Sequence, residues 1–156
     1  MSATRCNLPA QIVGEINGSN VVGQSFIAEY NHLNGIDVDL ATYGRVNTKD
    51  ISFHLKTSPD SEDIAKININ GAEIEDNTNH RFSFPEVKDS KDRQFYFEIE
   101  SSKSSSGNAI TAWCNYNATY SSGSMFINRA PMKGDLAFIT HYKLNILDTL
   151  NHVINK

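Results

Sequence analysis

The single tryptophan of this 156-residue chain, Trp113, lies in NAITAWCNYNATY, with Tyr116 and Tyr120 close behind it. Aromatic rings interleaved with amides suit sugar binding: the apolar face of a pyranose stacks on an exposed ring, and nearby Asn, Asp or Arg side chains hold its hydroxyls. Alternation along this segment sets Ile110, Ala112, Cys114 and Tyr116 on one side and Thr111, Trp113 and Asn115 on the other. Trp113 therefore shares a face with polar residues. The competing expectation is that it packs beneath a loop or the C-terminal helix with its N–H satisfied locally, because tryptophan is highly buried on average. TYGRVNT (42–48) places Tyr43, Arg45 and Asn47 at alternate positions around a turn, as a platform, a forked donor and an amide. The same residues would brace the loop if Arg45 paired with a carboxylate and Asn47 held the turn through its side chain.

Other candidates are thinner. SPDSEDI carries Asp60, Glu62 and Asp63, oxygen donors of the type a structural calcium ion takes, but without the ligand order of an EF-hand; the competing reading is a solvated turn. Asp37 and Asp39 in DVD read as ordinary wet-face residues. Among His32, His54, His80, His141 and His152 no two have the i, i+4 spacing of a helical metal pair. There is no G-x-S-x-G, and no motif selects a facing carboxylate pair for a glycosidase. The expectation is a protein without catalysis and with no cofactor beyond that calcium. Cys6 and Cys114 lack metal-ligand spacing and meet only if the N-terminal arm folds back on the strand of Cys114; two free thiols are the plainer reading.

The elements that must position these residues are strands. GIDVDLATY sets Ile36, Val38, Leu40 and Thr42 against Asp37, Asp39, Ala41 and Tyr43, and DISFHLK, AKININ and QFYFEIE alternate in the same way. Weaker strands are expected in VVGQSFIAE, HRFSFP, NAITAWCNY, SMFIN and LAFITHY, with turns at LNG, SPDSED, NGAE, SSKSSSGN, SSGS and APMKGD. Such short half-wet strands build an antiparallel sandwich or barrel. The end differs: Leu144, Leu147, Leu150 and Ile154 recur at spacings of three and four, an amphipathic helix. The expected organisation is an N-terminal arm over 1–20, one sandwich domain over 21–142 and a helical tail over 143–156.

A formal net charge of −4 with scattered Lys and Arg argues against nucleic acid as a partner. No apolar run approaches the roughly 20 residues of a membrane span, and the first residues lack the apolar centre of a signal peptide. The expectation is a cytoplasmic protein if the chain is complete, or a soluble piece of a longer one.

GQSF, TYGRVNT and GDLAF, with the segments around them over about residues 20–142, resemble a β-sandwich domain found on bacterial and archaeal cell-envelope proteins of the polysaccharide-assembly or glycosyltransferase type. The resemblance implies a jelly-roll-like sandwich facing outside the cytoplasm, carried by a parent membrane protein, and no catalytic residues. The expected function is that of an accessory domain binding a glycan or polysaccharide intermediate through Trp113, Tyr116, Tyr120, Tyr43, Arg45 and Asn47. The alternative is a protein–protein docking or scaffolding module of a larger membrane protein. A hydrolase acting on envelope sugars comes third.

Overall fold

The computed structural model describes residues 2–5, 11–117 and 120–144, the first four by their backbone alone. Thirteen strands follow in chain order: β1 (Ser2–Arg5), β2 (Gln11–Ile12), β3 (Val22–Ile27), β4 (Leu33–Ala41), β5 (Asp50–Lys56), β6 (Ala65–Asn70), β7 (Thr78–Val87), β8 (Gln94–Glu100), β9 (Thr111–Asn115), β10 (Met125–Ile127), β11 (Ala130–Met132), β12 (Asp135–Leu136) and β13 (Phe138–Tyr142). Among the described residues a single 3-10 turn, Gly71–Glu73, interrupts them. All pairings are antiparallel and form two sheets. The first runs β1-β13-β4-β9-β12, with β2 on β9 and β7 on β4, and the second runs β11-β10-β3-β8-β5-β6. The chain is all-β and sandwich-like. Among the described residues no helix is long and apolar enough to cross a membrane. The expected C-terminal helical tail over 143–156 lies, from residue 145 on, outside the described residues, and so does Cys6; Cys114 is a buried free thiol.

Period-2 alternation sends one side of each strand into a shared core. Ile36, Val38 and Leu40 of β4 and Phe82 and Phe84 of β7 meet Ile51, Phe53 and Leu55 of β5 and Phe95, Phe97 and Ile99 of β8. Aromatic rings join the two sheets: Phe53 stacks on Phe82 at 4.4 Å, and Phe26 and Phe97 lie 5.9 and 5.7 Å from Phe138. One polar group crosses the core with its valences filled. Gln24 Nε2 donates to Asp135 Oδ1 at 3.0 Å while its Oε1 accepts from Leu136 N at 2.8 Å, linking β3 to β12.

Residues of the expected N-terminal arm are strands of the first sheet instead: β1 pairs with β13, and β2 with β9. LAFITHY breaks into β12 and β13 because its first residues pair with β9 and its last with β4. Asn128 (φ 52°) and Arg129 (φ 65°) form the two-residue turn of the β10–β11 hairpin, the left-handed pair whose twist matches the flanking strands.

Alternation also places Tyr96, Glu98, His54 and Lys56 on the outer side of the second sheet, where a wet face is expected. The structure covers them. Tyr96 and Glu98 are fully buried and His54 and Lys56 nearly so. Arg129 reaches over from its hairpin turn and holds the Glu98 carboxylate through Nη2 (3.0 Å) and Nε (3.2 Å). Lys56 Nζ lies 3.1 Å away, and the Tyr96 hydroxyl donates at 3.0 Å. Phe126 packs edge-on against the Tyr96 ring at 5.2 Å, and Gly23 lies beneath it, where a Cβ would collide with the phenol. Burial would raise the Glu98 carboxyl, but the hydrogen bonds from Arg129, Lys56 and Tyr96 outweigh it and hold it below its ordinary 4.5. Burial, reinforced by the Glu98 charge, raises the Tyr96 phenol, which stays protonated and donates.

A carboxyl held below its unfolded value stabilises the fold above that value and loses the contribution as pH falls through the folded one. Replacing Glu98 by Gln leaves two cations facing an uncharged amide and is expected to cost about 3 kcal/mol near neutrality in urea unfolding. Below pH 4.5 the gap between variant and wild type should narrow. Two curves that stay parallel down to acid pH would show that Glu98 carries no such linkage.

Candidate functional site

The outer side of the first sheet carries the candidate site. β4 lies at its centre, with β7 along one edge. Its other edge is divided: Leu40 and Ala41 pair with Ala112 and Thr111 of β9, while Val38 and earlier residues pair with β13. Ala137 stands at the fork. It accepts from Asp39 N at 3.0 Å and donates to Trp113 O at 3.0 Å. With Asn79 opposite Asp39 and Ile12 opposite Trp113, one row crosses four strands and the Ala137 link between β12 and β13: Asn79, Asp39, Ala137, Trp113 and Ile12. Leu136 and Phe138 on either side of Ala137 are in the core, so this row faces outward.

Trp113 is half-buried, and its Nε1 donates to Asn77 Oδ1 at 3.0 Å. Asn77 precedes β7, on the far side of β4 from β9. To reach it the indole crosses β4 in the strip between Asp39 and Ala41, and its tip is tied down. Asn77 takes φ 56° to receive it, a left-handed conformation that asparagine tolerates better than most residues. Trp113 is thus outside the core, with its N–H held by the Asn77 side chain.

The neighbouring turn continues the edge. Thr42 N donates to Asp76 Oδ1 at 2.7 Å, tying the 42–48 turn to the one that holds Asn77. Tyr43, exposed and left-handed at φ 59°, lies under the Arg45 guanidinium, 4.8 Å from its centroid. Arg45 is otherwise committed: Nε donates to Asn47 Oδ1 (3.0 Å), and Nη2 to Ala109 O (3.0 Å) and Glu15 Oε2 (3.2 Å). Asn47 is buried and donates to Thr42 O at 3.2 Å, holding the turn from beneath.

The structure thus brings Tyr43 and Arg45 to the turn that adjoins Trp113 and places Asn47 under it. It does not bring Tyr116 and Tyr120 there. Tyr116 is exposed past the opposite end of β9. Tyr120 stands edge-on to Phe138 at 5.7 Å, and its hydroxyl accepts from Ile27 N at 3.0 Å, a pin between loop and strand. Asp60 and Glu62 are exposed in the β5–β6 turn, while Asp63 turns to His54 Nδ1 at 2.9 Å. Among the described residues no group of three His, Cys, Asp or Glu side chains is placed to hold a metal ion.

Sequence reasoning passed over Asp39. Its neighbour Asp37 is buried and saturated: Arg81 Nε donates at 2.8 Å and His141 Nε2 lies 3.0 Å away. Burial raises the Asp37 carboxyl less than the hydrogen bonds and charges of Arg81 and His141 lower it, so it stays below its ordinary value. Asp39, half-buried on the same face, has no hydrogen-bonding side chain among the described residues, and burial alone raises it. Alternation in DVD shows both carboxylates facing outward; which of them is neutralised depends on the cross-strand register with Arg81 and His141.

The chain matches no family model, no curated protein and no solved structure. What the site can do therefore rests on its own groups: an indole tied down on the outer side of the sheet, a carboxylate at its flank that is unneutralised among the described residues, an exposed amide (Asn79) beside that, and an exposed tyrosine under the Arg45 guanidinium at the adjoining turn.

An acid with a raised folded pKa destabilises the fold above that value, and the penalty vanishes below its unfolded 3.8. Asp39→Asn should therefore stabilise the protein at pH 7 by more than the roughly 0.5 kcal/mol typical of surface changes. The gain should fade as pH falls below 3.8. Urea midpoints at the two ends of that range check it; a destabilised variant at pH 7 would reveal a partner for Asp39.

Proposed function

We propose that this chain is a non-catalytic carbohydrate-binding domain of jelly-roll type, the extracytoplasmic accessory part of a cell-envelope membrane protein, with the glycan seated on the outer face of the first sheet. The observation that carries this reading is the indole of Trp113, tied to Asn77 outside the core rather than packed within it. A ring fixed before the ligand arrives loses little entropy on binding, and an open sheet face suits an extended chain of sugars. Tyr43, with Arg45 above it, extends the platform by a second ring. Asn79 and Asp39 supply the polar contacts beside it. The envelope location and the parent protein are supported by the resemblance carried by GQSF, TYGRVNT and GDLAF. Against catalysis stands the state of the best-developed charged cluster, Glu98 with Arg129, Lys56 and Tyr96, which is buried and saturated by its own partners.

Titration of the single tryptophan's emission with cell-envelope oligosaccharides tests this directly. One glycan class should shift the emission saturably at micromolar to millimolar concentration, and Trp113→Ala should abolish binding measured by calorimetry. Tyr120→Phe, which keeps the ring against Phe138, should leave it unchanged. Emission indifferent to every sugar, together with self-association at high concentration, would replace this reading by a docking module.

A further inference from the structure

Among the described residues, charge along this row is one-sided. Arg81, on the outer side of β7, is held by Asp37, and His141 of β13 lies 3.0 Å from the same carboxylate. At the adjoining turn Arg45 is paired with Glu15. The remaining charge in the row is the Asp39 carboxylate, flanked by Asn79, by the small floor of Ala137 and by the strip that the Trp113 ring crosses. The strip that the indole crosses adjoins Asp39, so a pyranose stacked on the ring brings a substituent toward the carboxylate.

A ring and an unneutralised anion side by side select among sugars by charge. An acidic sugar stacked on Trp113 would bring a second carboxylate against Asp39. A neutral sugar would offer it hydroxyls, as water does. A protonated amine would neutralise it and add a charge-assisted hydrogen bond, the stronger kind. Resting on the carbohydrate reading above, we propose that the face is selective for glycans containing unacetylated amino sugars, with the hexosamine ring on Trp113 and its ammonium group on the Asp39 carboxylate. The burial that raises the Asp39 carboxyl points the same way, since a bound cation relieves it.

Three oligosaccharides of equal length test this by calorimetry at low salt, at a pH where the amine is protonated: a glucosamine hexamer, its N-acetylated counterpart and a hexuronate oligomer. Wild type should bind the glucosamine hexamer about tenfold tighter than the acetylated one, the ratio expected of one charge-assisted contact, and the uronate not at all. Asp39→Asn should bring the first two to within about twofold of each other, and added salt should shrink the wild-type ratio. Equal binding of amine and acetamide, or a ratio that survives Asp39→Asn, overturns the selectivity and leaves the carbohydrate reading standing. Failure of all three to bind or to move the Trp113 emission, extended to the neutral envelope sugars, overturns both.

Discussion

Ala137 hydrogen-bonds to two strands at once, accepting from Asp39 N and donating to Trp113 O, and the geometry of the first sheet follows from that. β4 and β9 are partners at Leu40 and Ala41 and then diverge; without a strand entering the fork, the backbone groups of Asp39 and Trp113 would go unpaired. Buried backbone groups left without partners cost as much as lost hydrogen bonds, so the fork must be filled. Leu136 and Phe138 lock the wedge from within, Leu136 through the Gln24 amide and the core, Phe138 through the rings of Phe26 and Phe97. The outward residue between them has to be small if the indole is to lie across the neighbouring strand. The row of Asp39, Ala137 and Trp113 is thus set by the core beneath it.

The two outer faces treat charge in opposite ways. On the second sheet a carboxylate is fully buried and saturated: Glu98 takes both forks of Arg129, Lys56 and the Tyr96 phenol. A group so satisfied braces the β10–β11 hairpin against β8 and has nothing left to offer a ligand. On the first sheet Asp37 is treated similarly by Arg81 and His141, but Asp39, two residues along the same strand, is not. Leaving a half-buried carboxylate unneutralised works against stability, and such residues cluster where a protein meets something else.

Much of the strand framework was legible. GIDVDLATY, DISFHLK, AKININ and QFYFEIE alternate cleanly, and their apolar sides are the core that forms. Those signals are local, because turn residues and period-2 patterning act within a few positions. Less legible was the outer surface. Tyr96 and Glu98 look wet in QFYFEIE and are covered by Arg129, 31 residues away from Glu98. The short β1, β2 and β11 carry too few residues for alternation to register. In TYGRVNT the composition pointed to a structured turn, but whether its arginine was free or paired depended on Glu15, 30 residues earlier.

By itself, then, the sequence determined an antiparallel all-β chain, the identity of its inward residues and the presence of one tryptophan on the polar side of its strand. These follow from alternation and turn chemistry, which need no knowledge of what lies far along the chain. Tertiary structure decided which outward residues meet water, which carboxylate is neutralised and where the indole comes to rest. Each of those depends on registers between distant strands: Asn77 fixes Trp113 across 36 residues, and Arg81 claims Asp37 across 44. A one-residue slip in any of those pairings would leave the pattern of the sequence intact and dismantle the face.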